Sequence, residues 1–155
     1  MPTSQVELQE IPAFTGVALR KTMTLKQIPD FAGEALPVIH DDMKRLDLHC
    51  AGPAVFIYYG ADGSADTEFE LVVVQPVVAA GGALERCEYF HASAFKCATL
   101  EYVGPMSGIG EGWHQLVAAV HSQGHHPSVE CREVYSHWVA LGSDENVTAL
   151  QMGYL

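Results

Sequence analysis

The chain has 155 residues, with 8 Lys and Arg against 19 Asp and Glu, a net charge of −11. Hydrophobic residues make up 48% and charged residues 17%, which supports a single folded domain over residues 1–155 and excludes a disordered chain. The acid excess repels phosphate backbones, so direct nucleic-acid binding is not expected, and it favours cationic partners.

Apolar runs are short, as at Leu71 to Val74, where Gln75 and Pro76 stop the run. None approaches the ~20 residues of a membrane span. Met1 to Glu10 show neither the basic nor the apolar segment of an export signal, and Cys50, Cys87, Cys97 and Cys131 form no CxxC pair. A cytoplasmic protein with reduced thiols is expected, with no membrane contact.

From Val6 to Leu25 the pattern is extended. Val17, Leu19, Met23 and Leu25 share one parity, and Lys21 interrupts that face as an edge or strand end would. Ile28 to Leu48 reads as a helix, because Ile28, Phe31, Ala35, Ile39, Met43 and Leu46 recur at three- and four-residue steps. Pro29 suits the first turn, Pro37 predicts a kink or a late start of the helix, and Lys44 and Arg45 complement the carbonyl end. Ala54 to Tyr59 and Glu68 to Val74 are strands around the turn cluster Gly60 to Asp66, and Gln75 to Ala83 is a connection.

The order then recurs. Phe95 to Val103 is a strand. Ser107 to Gln123 is a helix, with Ser107 as N-cap and Gly124 just past its end. Ser128 to Tyr135 and Val147 to Tyr154 are strands separated by a turn at Leu141 to Asn146. The chain reads as two β-α-β-β units, about residues 5–77 and 92–155, in an α+β fold with pseudo-twofold symmetry. Pro53 and Pro127, 74 residues apart, open equivalent strands in this reading. Two such units joined edge to edge place both helices on one side of an antiparallel sheet and open a groove between the halves.

Four stretches in this order, Gly52 to Tyr59, Phe69 to Val77, Arg132 to Tyr135 and Asn146 to Met152, resemble the GyrI-like family. This effector-binding domain also ends some AraC-type, multidrug-responsive transcription activators. The resemblance implies a central groove for aromatic, often cationic, small molecules, and places the family's acidic residue on the strand of Glu133. With no helix-turn-helix segment visible, a free-standing member is expected. Free-standing relatives include inhibitors of DNA gyrase and hydrolases of strained-ring toxins, so the resemblance leaves a binding module, an enzyme and a protein partner open. Gly104-Pro105-Met106 departs from the family, which usually has an aromatic after Gly-Pro.

Glu133 is the sharpest residue read from the chain itself. A carboxylate in mid-strand is disfavoured without a partner. Strand parity puts it on one face with Cys131 and Tyr135, towards the groove. The plain alternative is an ion pair with Arg132 or another surface cation. Phe56, Tyr58, Tyr102, Trp113 and Tyr135 supply candidate aromatic walls, against ordinary core packing for each. If the groove is catalytic, Glu133 serves as general acid or base with Tyr58 or Tyr102 assisting. No cofactor is expected. The histidines His121, His125 and His126 lack paired ligand spacing, so no metal site is expected, and GIGEG at Gly108 to Gly112 is not a phosphate cradle. A homodimer through free strand edges is open.

Overall fold

In a computed structural model, residues 5–155 are described, and Met1 to Ser4 of the leader reading lie outside them. The elements run β1 (Glu7–Ile11), β2 (Phe14–Met23), α1 (Ile28–Arg45), β3 (Val55–Tyr59), β4 (Phe69–Pro76), β5 (Glu88–Ala92), β6 (Phe95–Val103), α2 (Ile109–Ser122), β7 (Pro127–His137) and β8 (Val147–Tyr154). A 3₁₀ turn precedes each helix, at Leu25–Gln27 and Met106–Gly108. Among the described residues the strands form one antiparallel sheet in the order β1-β6-β8-β7-β3-β4-β2-β5. The architecture is α+β, and among the described residues no helix is long and apolar enough to cross a membrane.

The halves meet at β3 and β7, where Phe56 lies opposite Glu133 and Tyr58 opposite Cys131. Cross-strand partners share a face. That face carries the core beneath α1 (Val17, Leu71, Val73, Ile39) and the core beneath α2 (Ala98, Leu100, Leu116, Leu150). Both helices therefore cover one side. The other side buries Ala18, Val55, Ile57, Val72 and Val74 under Phe14 and Phe90.

Two short strands escape the sequence patterning, and each adds to the opposite half. β1 pairs with β6, and β5 pairs with β2. β1 is exposed along most of its length, so it shows no apolar alternation to read. Lys21 sits in the half of β2 beyond the reach of β5, which pairs only with Phe14 to Ala18. The 74-residue register through Pro53 and Pro127 is corrected. The groove-facing residues are even-numbered on β3 (Phe56, Tyr58) and odd-numbered on β7 (Cys131, Glu133). Strands exchanged by a twofold must keep their face, so the separation over these residues is odd; β7 shifts register between Pro127 and Cys131, so the even separation at the prolines does not extend along the strand.

The helices differ from their reading at three points. α1 starts at Ile28 and is helical through Pro37, so Pro37 does not mark a late start. Ser107 is not the N-cap of α2: it lies inside the 3₁₀ turn, and Gly108 takes the cap position without a side-chain bond. α1 stops at Arg45 because Asp47 turns left-handed, with φ 55°. There the Asp47 N–H donates to Lys44 O at 3.2 Å and the Leu48 N–H to Met43 O at 2.9 Å. Gly124, with φ 81°, closes α2 in the same way: its N–H donates to His121 O and the His125 N–H to Val120 O. A Cβ in this conformation costs about 1 kcal/mol. Asp47→Gly is expected to stabilise the protein by roughly 0.5–1 kcal/mol in urea unfolding, as relief of that strain requires.

Candidate functional site: a groove around Glu133

A groove of ≈ 1260 Å³ lies between α1, α2 and the β3–β7 seam. α1 lines it with Ile28, Leu36, Pro37 and His40, and α2 with Ile109, Trp113, His114 and Val117. The floor carries Phe56, Tyr58, Cys131, Glu133, Tyr135 and Met152, all on the strand face that the helices cover. Its walls are chiefly apolar. Glu133 and Asp62 are its acidic residues, and among the described residues that line it none is Lys or Arg.

Glu133 is 6% exposed and is held by three donors. The Tyr58 hydroxyl donates to Oε1 at 2.8 Å and the Tyr135 hydroxyl to the same oxygen at 2.6 Å. The Trp113 indole N–H donates to Oε2 at 2.8 Å. One carboxylate thus gathers groups from β3, β7 and α2. Burial, and then the charge of Glu133, push the Tyr58 and Tyr135 phenols well above their ordinary pKa, so both stay protonated and remain donors. Phe56 packs edge-to-face on Tyr135 at 4.7 Å between ring centroids, and Tyr135 meets Trp138 at 5.7 Å. Burial raises the Cys131 thiol to about 11, with Glu133 and Glu130 adding to the rise, so this groove-lining sulfur is a neutral thiol at pH 7.

The ion pair with Arg132 is not formed. Arg132 has the opposite strand parity and lies on the far side of the sheet. There it bonds Glu130 at 2.7 Å and stacks on the Phe95 ring at 4.0 Å. Glu133 is therefore a buried anion held by neutral donors, with no cation against it among the described residues.

Tyr102 departs from its expected place. It does not line the groove but lies in the core beneath α2, 5% exposed, with its hydroxyl donating to Pro105 O at 2.7 Å. Two glycines, one capping α2 and one inside it, explain this. The Tyr102 ring fills the space over Gly108 and Gly112 that side chains would otherwise occupy, so the helix sits on top of it. Met106 does line the groove, at the position where the family pattern has an aromatic.

Sequence reasoning missed Trp138, Leu141 and Gln75, which also line the groove. Trp138 and Leu141 lie past the end of β7, where no periodicity places them. Gln75 carried a usable signal, because it shares parity with Leu71 and Val73 and belongs to the groove face rather than to a loop.

By sequence the chain matches no family model and no curated protein. By structure it matches the EcmrR C-terminal domain with TM-score 0.81, over 97% of this chain and 97% of that one, at 18% identity. The fold is that of the EcmrR C-terminal domain. In the EcmrR–DNA complex the match has TM-score 0.82 at 19% identity and covers 99% of this chain but 58% of the EcmrR chain, so this chain spans little more than half of that protein's length. SAV2435, solved bound to tetraphenylphosphonium, matches with TM-score 0.71 at 13% identity, over 98% of this chain and 94% of that one. A hydrolase from Listeria innocua matches with TM-score 0.66 at 10% identity, over 100% and 94%. At the level of fold, these neighbours agree with the GyrI-like resemblance.

Proposed function

We propose that this protein is a small-molecule-binding domain whose groove takes aromatic cations, with Glu133 as the charge complement. The observation that carries the reading is the buried Glu133 carboxylate held by three neutral donors and facing an apolar groove. In a poorly hydrated site an unneutralised anion attracts a cation far more strongly than it does in water. The rings of Trp113, Tyr135 and Phe56 beside it add cation–π and stacking contacts of about 0.5–2 kcal/mol each. An extended apolar wall favours bulky, flat or multi-ring frames over small polar cations. That SAV2435, of the same fold, was solved with tetraphenylphosphonium supports the choice of this lipophilic cation as a probe.

Trp113 supplies the readout. Its indole lines the groove and bonds Glu133, so a cation seated there changes its emission. Titration with tetraphenylphosphonium is expected to give a saturable change in the emission of Trp113 and Trp138, both of which line the groove. A flat titration in the wild type would remove the cation reading. As a sensor, the domain would pass ligand occupancy to a DNA-binding partner; as a sequestering protein it would need none.

The hydrolase alternative is less well supported by the geometry. Both phenols near Glu133 are engaged with its carboxylate, and Tyr102, the other assisting hydroxyl, is engaged with Pro105 beneath α2. No hydroxyl of the Glu133 cluster is free to serve a substrate.

A further inference from the structure

Gln75 is a buried polar side chain that the Glu133 cluster does not use. It is 5% exposed, yet it lines the groove. Its amide nitrogen donates to Gly52 O at 2.7 Å and to Pro76 O at 3.2 Å. Both partners are carbonyl acceptors, so they fix which end of the amide is nitrogen. No donor among the described residues bonds Oε1, and this oxygen is not among the side-chain atoms sealed from solvent without a partner. A carboxamide oxygen open to the groove can accept from a ligand's donor in place of water.

The sheet register places the Gln75 backbone relative to that of Glu133. Val73, Phe56 and Glu133 form one cross-strand row over β4, β3 and β7. Gln75 lies on β4 two residues beyond Val73 and on the same face. With about 4.8 Å between strands and about 3.4 Å per residue, the two backbone positions are roughly 12 Å apart. That is the length of a two-ring aromatic frame, not of a small ammonium ion.

We propose that Gln75 Oε1 is a second polar contact of the groove. It would select cations that carry a hydrogen-bond donor, an amine or a hydroxyl, at the end of the aromatic frame opposite the charge. This rests on the cation reading above and adds a donor requirement to it. Glu133 sets the charge, the rings set the frame, and Gln75 reads the far end. Flat cations with a distal N–H or O–H gain a bond there, and their alkylated analogues do not.

The test uses two quaternary probes, the trimethylammonium salt of 4′-aminobiphenyl and its 4′-methyl isostere. Neither cationic end can donate a hydrogen bond to Glu133, and the two differ only in the distal donor. The amino probe is expected to bind wild type about 3- to 10-fold more tightly, the range of a single neutral hydrogen bond. In Gln75→Leu that ratio should fall to about one, with the methyl probe retained. If Gln75→Leu does not fold, the wild-type ratio still decides. Equal binding of the two probes to wild type overturns the proposal, as does a ratio that survives in Gln75→Leu. Binding of tetraphenylphosphonium but of neither biphenyl probe also overturns it, since the frame would then not span the two positions. Failure of all three cations to bind would instead remove the cation reading beneath it.

Discussion

Glu133→Gln is expected to weaken tetraphenylphosphonium binding by about 10- to 100-fold while the protein keeps its fold. The amide is isosteric, so the change isolates the charge. Its oxygen can face Trp113, whose N–H can only donate. Its nitrogen can then face Tyr58 and Tyr135, whose hydroxyls can rotate to accept. Isothermal titration with tetraphenylphosphonium and with a neutral aromatic of similar size, such as triphenylphosphine oxide, separates charge from shape. The neutral compound should bind both proteins alike. Equal loss for both compounds would mean that the substitution deformed the groove. The unliganded variant should unfold at the same urea concentration as wild type or a higher one, because it no longer buries an unneutralised charge.

Asp42→Asn is expected to cost about 2–3 kcal/mol of stability at pH 7. Asp42 lies on α1, 4% exposed, and its carboxylate accepts the backbone N–H groups of Glu85, Arg86 and Cys87 at 2.9–3.2 Å. Arg45 adds an ion pair at 3.3 Å. These bonds fasten the connection between the halves onto the first helix, just before β5. Burial alone raises a carboxyl pKa, but here the backbone donors Arg86, Cys87 and Glu85 outweigh it and hold Asp42 well below the usual carboxylate range. The same burial, with Asp42 accepting from its thiol, pushes Cys87 up to about 12. Because the folded pKa of Asp42 lies below its unfolded value of 3.8, its contribution is complete above about pH 5 and is lost as the pH falls further. Urea unfolding between pH 7 and pH 2.5 should therefore show acid destabilisation in wild type, and a shallower slope in Asp42→Asn. Parallel slopes would assign the acid loss to other carboxylates.

The parts of this protein that were legible in its sequence are those governed by local period. The apolar stripes of α1 and α2 and the alternation of β2 are one-dimensional signals, because one face of each element must leave water. Mid-strand Glu133 was legible for the same reason, since a carboxylate among apolar residues contradicts its neighbourhood unless something answers it. Tyr58 and Trp113 were named from parity and helical stripe, and both bond Glu133.

What meets across the sheet was not legible. β1 and β5 exchange halves through edge hydrogen bonds that need no apolar pattern. Tyr102 and Tyr58 look alike in sequence, yet α2 settles onto the first because Gly108 and Gly112 let it approach. Gln75 reads as the end of an apolar run until its nitrogen is seen turned towards Gly52 and Pro76. The sequence by itself determined which faces are apolar and which carboxylate is out of place, because burial acts on each element along its own length. Only the tertiary structure decided that Glu133 is answered by phenols and an indole rather than by Arg132. That choice depends on which strand lies opposite which, and cross-strand distance leaves no periodic mark along the chain.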